Sequence, residues 1–375
     1  MPTAAFENSA PENPLPSMTT RPEDEPVTDR ALWLRTPGGR LHLGDADTPA
    51  PGPGEIVVAA RAVAVNPIDA MGGLLRRVAL PWLRYPAVLG SDVAGEVVAV
   101  GSGVSSVALG DRVVAYAVGV ERSRNAPSEG AFRTRVTVLA SLTAPIPPSM
   151  SFEEASVLPL ALTTAAAGLF EPDQLALALP SATPTDRNET LLVLGGATSV
   201  GMNAVQLARN AGYAVVATAS ARNGGLLRGL GADTVVDYHD GDVVEQLARI
   251  LRERSLAGTI AVAAGTLRQA IAVNRAAGVS GSGRIASAHP TPDTTIRGAL
   301  ARRRGLHVSA IWGGSPKDTD LGGAIWNGFL PAALADGRYR AAPAATVVGT
   351  GLEAIPAALD RLREGASAQK FVVTL

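Results

Sequence analysis

The stretch Leu191–Gly201, LLVLGGATSVG, runs without interruption into MNAVQLARNAGY, and this junction leaves the middle of the chain little choice of structure. An apolar run, a glycine-rich turn and a segment with apolar residues at helical spacing read as strand, turn and helix. Glycines let the backbone approach a phosphate closely, and the free N–H groups of a helix N-terminus attract negative charge, so the unit suits a pyrophosphate. The turn comprises Gly195, Gly196, Ala197, Thr198, Ser199, Val200 and Gly201. Counted from Gly196, the fingerprint G-x-G-x-x-G wants glycine where Thr198 stands, so a tight turn that binds nothing is the alternative.

The alternation continues downstream. Strands are expected at Ala214–Ala219, Thr234–Val236, Thr259–Ala263 and Arg284–Ser287, with helices at Met202–Ala211, Gly224–Leu230, Val243–Arg252 and Leu267–Ala277. βαβ units in series imply the α/β class with a doubly wound parallel sheet. At the end of its second strand such a sheet selects NAD with an Asp or Glu that binds the ribose 2′-OH. Here that place reads Thr218-Ala219-Ser220-Ala221-Arg222-Asn223. A carboxylate would repel a 2′-phosphate, whereas a hydroxyl and a guanidinium bind one, so NADP(H) is expected, held by Ser220, Arg222 and Asn223. Tyr238, after the third strand, closes the same pocket in this reading. A solvated surface arginine is the plainer alternative for Arg222.

Upstream the character differs. Glu55–Val65, Val93–Val100 and Arg112–Ala117 are β-branched runs between Gly, Pro and Asp turns, which predicts a small β-rich domain before about Met150. Ser151 with Glu154 is a capping box that opens a helix through Ala155 and Ala166, kinked at Pro159. After Trp312 the pattern is mixed, with helices at Ala324–Ala335 and near Leu352–Arg363 and a terminal strand Phe371–Leu375. Residues 1–28 are polar and rich in proline, read as a disordered tail, with Met18 as an alternative start.

Composition removes several classes of function. The 375 residues include no cysteine, which excludes disulfides, iron–sulfur clusters and thiol catalysis. Lys+Arg 33 against Asp+Glu 34 leaves no basic excess, so nucleic acid is not expected as a partner. The longest uncharged stretches are broken by Pro159 or by the glycine turn, so no membrane span is expected. The first residues lack a secretory pattern, and the expected location is the cytoplasm. His42, His239, His289 and His307 share no metal or triad spacing, and Glu121–Arg124 and Arg302–Arg304 read as charged loop or helix faces.

The segments VAVNPIDA (Val63–Ala70), YPAVLGSDVAGEVVAVGSGV (Tyr85–Val104), GDRVVAY (Gly110–Tyr116), LPLALTTAAAGLF (Leu158–Phe170), LGADTVVDY (Leu230–Tyr238) and QKFVVTL (Gln369–Leu375) add a further signal. With the glycine turn, they make the chain resemble the medium-chain dehydrogenase/reductase superfamily, in its zinc-lacking branch of quinone oxidoreductases and trans-acting enoyl reductases. The resemblance implies a GroES-like β-rich substrate domain over residues 29–150, completed by 313–375. A Rossmann NADP-binding domain over 151–312 is inserted in it, with the nicotinamide in the cleft between them. It also implies a homodimer.

Zinc relatives carry Cys, His and Cys where this chain has Asn66, Ser91 and the aliphatic run Leu158–Leu162, so no metal is expected. By the resemblance, Asn66 sits near the nicotinamide ribose and substrate, Asp69 structures the same turn, and Thr163 and Thr164 contact the nicotinamide. Ala264 and Gly265 form the loop beside it, and Lys370 pairs with the pyrophosphate. A turn residue before Pro67 and an ordinary surface lysine are the plainer readings of Asn66 and Lys370. Met71 stands where many enoyl reductases of the branch carry Lys. The expected function is NADPH-dependent reduction of an enone, enoyl thioester or quinone, a small hydrophobic acceptor, by metal-free hydride transfer. A non-catalytic NADPH-binding sensor or partner of a biosynthetic complex is the alternative.

Overall fold

The computed structural model describes residues 29–278, 283–288, 292–303 and 305–375. The expected tail over 1–28, His289 and Arg304 lie outside the described residues. A six-stranded, all-parallel sheet forms from the middle of the chain, in the spatial order Thr234–Asp237, Ala214–Ala219, Glu189–Leu194, Ser255–Ala261, Arg284–Ser287 and His307–Ala310. The first strand of this unit lies third, so the chain winds outward both ways from it. That is the Rossmann order, with its switch point between Glu189–Leu194 and Ser255–Ala261. The strands are nearly continuous apolar runs, with Leu191–Leu194 and Val215–Ala217 fully buried, as a parallel sheet covered on both faces requires.

The second unit is a largely antiparallel sheet in the order Ala344–Thr350, Gln369–Thr374, Glu55–Ala64, Asp92–Val100, Arg112–Tyr116 and Thr143–Pro145, with Arg135–Leu139 also pairing Glu55–Ala64. The last strand of the chain thus returns to pair with an early one, Val372 opposite Ala64. The helix Pro159–Phe170 lies in the core that reaches both sheets, and ten of its residues are buried. A helix apolar on every side is stable only when enclosed in this way.

Two expectations about helices need correction. Ser151 and Glu154 do form the reciprocal capping box, but the helix it opens stops at Ser156, and Pro159 begins a separate helix as its first residue. Proline lacks an N–H, so it is tolerated at a helix start and not in the interior. The single helix expected at Ala324–Ala335 is a π-helical stretch Ala324–Phe329 followed by an α-helix Leu330–Ala335. Pro331 cannot donate to the carbonyl four residues earlier, and the wider turn absorbs that defect.

Candidate active site

The glycine turn sits at the switch point of the parallel sheet. Gly195 has φ +89°, and its N–H donates to Thr218 Oγ1 at 3.0 Å, while the Gly196 N–H donates to the Thr218 carbonyl at 2.8 Å. A Cβ on Gly196 would stand 2.7 Å from Leu227 Cδ1, and one on Gly201 only 2.3 Å from the Gly195 carbonyl oxygen. The turn is therefore folded on itself more tightly than any side chain permits. Thr198 is the N-cap of the helix Ser199–Asn210; its hydroxyl accepts from the Gly201 N–H at 3.0 Å and donates to the Gly195 carbonyl at 2.8 Å. The missing glycine of the fingerprint is thus a cap that reinforces the turn. Ala197, Ser199 and Val200 stay half-buried at its open side. Ala263 packs against Gly195, which brings Ala264 and Gly265 beside the turn. This cradle of close backbone and unfilled helix amides fits a dinucleotide pyrophosphate.

Beyond the second strand, Ser220, Arg222 and Asn223 cluster. Asn223 Nδ2 donates to Ser220 Oγ at 3.2 Å, and Arg222 Nη2 donates to Ser367 Oγ at 2.9 Å. Ser367 lies in the connection into the last strand, so the C-terminal segment borders this pocket. Tyr238 is half-exposed and stacks on His239 at 4.1 Å. Sequence reasoning missed Asp237, whose carboxylate accepts from the Ala221 N–H at 2.8 Å and the His239 N–H at 2.9 Å and meets His239 Nδ1 at 2.7 Å. These hydrogen bonds, His239's first, hold its pKa below the usual carboxylate range.

A buried polar cluster joins the two units. Asp92, fully enclosed, accepts from Asn66 Nδ2 at 2.8 Å and from the Leu160 N–H at 2.7 Å, and it pairs with Lys370 Nζ at 2.5 Å. Lys370 also donates to the Val157 carbonyl at 3.2 Å and is 4% exposed. Its charge is met inside the protein by Asp92. Thr163 is buried and its hydroxyl donates back to the Pro159 carbonyl at 2.8 Å. Thr164, one residue on, is partly open.

Asp69 accepts from the Asn66 and Gly90 amides at 2.9 and 3.1 Å, which fixes the turn that carries Asn66. Burial pushes the Asp69 carboxyl up to about 7; the amide of Asn66 opposes this and the charge of Asp92 adds to it. An unfolded aspartate titrates near pH ~3.9. Between about pH 4 and 7 the folded protein keeps a proton that the unfolded chain has released, so this group lowers stability as pH rises through that window, and the effect levels off above it. Asp69→Asn is expected to be less stable than wild type at pH 5 by about 1 kcal/mol, from one weakened hydrogen bond. Urea unfolding at pH 8 should show that deficit shrunk or reversed; an unchanged deficit would exonerate Asp69.

Glu121, expected on a charged loop face, is instead 3% exposed, and Arg124 pairs with Glu55 and Glu129. Glu121 Oε1 accepts from the Tyr116 hydroxyl at 2.9 Å and Oε2 from Trp312 Nε1 at 2.8 Å. A Cβ on Gly313 would fall 2.3 Å from Thr164 Oγ1, and one on Gly314 2.1 Å from Glu121 Oε1. The segment Trp312–Gly314 therefore runs between the open threonine and the buried carboxyl. A cleft of about 570 Å³ opens here, lined by Trp82, Glu121, Arg122, Trp312, Lys317 and Asp318 among others. Only a contact between residues 191 apart reveals this, and no local pattern announces it.

Among the described residues no group of three or more His, Asp or Glu side chains is placed to hold a metal, and no helix is long and apolar enough to cross a membrane. Residues 52–148 match the alcohol dehydrogenase GroES-like domain. The chain is 41% identical over 341 residues to dehydrogenase azaJ of Aspergillus niger, covering 89% of this chain and 95% of that one. It is 35% identical over 362 residues to trans-enoyl reductase tndF of Aspergillus flavipes, covering 92% and 99%. In fold it matches the quinone oxidoreductase from Coxiella burnetii with a TM-score of 0.66 at 24% identity, over 92% of this chain and 99% of that one.

Proposed function

The chain belongs to the medium-chain dehydrogenase/reductase superfamily, an oxidoreductase family whose fold binds NAD(P), and on that premise we propose that it is an NADPH-dependent reductase of an activated C=C bond or a quinone. The glycine cradle at the switch point carries this reading. Gly195–Gly201 would hold the pyrophosphate, and Ala264 and Gly265 would border the nicotinamide end beside Thr164. When bound, NADPH supplies a hydride from its dihydronicotinamide ring.

Ser220, Arg222 and Asn223 support NADPH over NADH. The Asp237 carboxylate nearby is directed onto the Ala221 and His239 N–H groups. Arg222→Ala should weaken NADPH binding by about 1–3 kcal/mol, the scale of a charge-assisted contact, and leave NADH unaffected. Calorimetry that finds both coenzymes unchanged would take Arg222 out of the site.

The donor set around Asn66 does not suit zinc. The Asn66 amide is committed to Asp92, Ser91 presents only a buried hydroxyl, and Leu158–Leu162 present no donor. A conjugated acceptor asks less of the protein than an alcohol, because hydride adds at the far carbon and the charge spreads onto an oxygen that hydrogen-bond donors can hold. Stopped-flow loss of NADPH absorbance over a panel of quinones, enones and enoyl thioesters tests the proposal. Tight NADPH binding with no turnover on any acceptor would favour the sensor reading instead. The outer edge of His307–Ala310 pairs with no strand among the described residues and suits a second copy, the implied homodimer.

A further inference from the structure

We propose that the cleft walled by Trp82 and Trp312 takes a planar conjugated carbonyl acceptor, and that Glu121 at its floor supplies the proton that completes the reduction. This rests on the hydride-transfer reading above and assigns the acceptor's place and the missing acid. The two indoles meet edge to face at 5.7 Å and 75°, forming one aromatic wall, and Trp82 Nε1 is anchored on the Val120 carbonyl at 3.0 Å. Flat π-systems bind such walls by stacking. A cleft of about 570 Å³ accommodates a small fused-ring compound. The wall is also continuous with the cofactor region, because Trp312 is followed by Gly313, which packs on Thr164.

Glu121 is the carboxyl at this junction. Tyr116 and Trp312 hold its two oxygens, and Trp312 is itself part of the wall, so the acid and the acceptor surface are positioned by one another. The groups facing it are Tyr116 from its strand, Trp312, and Lys317 and Asp318 from the turn that follows; Arg122 also lines the cleft. Burial raises the Glu121 pKa, opposed by the hydrogen bonds from Trp312 and Tyr116 and by the charge of Lys317. A carboxyl that keeps its proton nearer neutrality is suited to act as a general acid.

The balance is simple. Hydride arrives with its electron pair at the far carbon of the C=C bond, and the displaced π pair moves onto the carbonyl oxygen as an enolate. The Glu121 O–H bond then breaks and its proton goes to the enolate, leaving a saturated carbonyl compound and a carboxylate. Water at the cleft mouth reprotonates the carboxylate. For a quinone, the same proton goes to the phenolate oxygen.

The experiment compares wild type, Glu121→Gln and Trp312→Leu. With E121Q, turnover should fall about 100-fold, the lower scale for a lost general acid, while NADPH affinity measured by calorimetry stays within about twofold. Wild-type turnover should decline as pH climbs through the raised Glu121 pKa, and E121Q should lack that decline. In the cofactor-free protein, 1,4-naphthoquinone should quench tryptophan fluorescence saturably, with E121Q retaining this binding and W312L weakening it about tenfold. Wild-type turnover and pH profile in E121Q would overturn the proton role, and quenching indifferent to W312L would overturn the acceptor site. If wild type failed to oxidise NADPH with any quinone, enone or enoyl thioester of the panel, the reductase reading itself would fall, and the proton role with it.

Discussion

Gly201→Ala should abolish measurable NADPH binding, with an expected loss of at least about 3 kcal/mol, whereas Gly225→Ala, in the separate helix Gly224–Gly229, should leave it intact. The added methyl at 201 would lie 2.3 Å from the Gly195 carbonyl oxygen and 2.8 Å from Gly196 Cα, so the helix Ser199–Asn210 must move off the turn that caps it. Backbone cannot yield as a flexible side chain can. The shift opens the cradle and turns the helix amides away from the pyrophosphate, removing several contacts to a charged group at once. The same overpacking should lower stability by about 1–3 kcal/mol. At Gly225, in the helix Gly224–Gly229, nothing lies within 4 Å of a new Cβ, and alanine's better helix propensity should add about 1 kcal/mol. Calorimetry with NADPH and thermal melting of both variants decide it. A G201A protein that bound NADPH like wild type would mean the turn is only a packing device.

How much of this the amino-acid sequence discloses depends on the range of the interactions. The parallel sheet is legible because each strand and helix carries its own periodicity and punctuation; Ala214–Ala219, Val243–Arg252 and Arg284–Ser287 form with the very bounds their patterns predict. The cap at Thr198 was hidden by the motif itself, which reads a non-glycine residue as a defect, while the hydroxyl closes the same turn by hydrogen bonds. Glu121 looked solvated because Glu, Arg, Ser and Arg in succession are polar. Its burial follows from Trp312 and Gly314, which approach from a distant part of the chain. Thr163 and Thr164 are indistinguishable as letters, and the helix's rotation alone sends one inward.

The Asp92–Lys370 pair tests what that long-range wiring contributes. Asp92→Asn should destabilise the protein by about 3–5 kcal/mol, the cost of leaving a buried charge without its counterion. Lys370 has no route to water at 4% exposure, and an asparagine amide would point donors at the ammonium and at Asn66 Nδ2. The N–H of Leu160 would lose a charged acceptor as well, loosening the start of the helix that presents Thr164. Lys370→Met should cost a similar amount by stranding Asp92. The double variant should recover most of the loss, because no buried charge is then left without its counterion, and buried ion pairs replaced whole are often near neutral. Denaturant unfolding of the four proteins gives the coupling energy directly. Additive losses would show that the pair does not act as a unit. Strong coupling with unchanged NADPH affinity in the double variant would place Lys370 in the joint between the units and away from the phosphates. A drop in NADPH affinity there, with stability restored, would return it to the cofactor site.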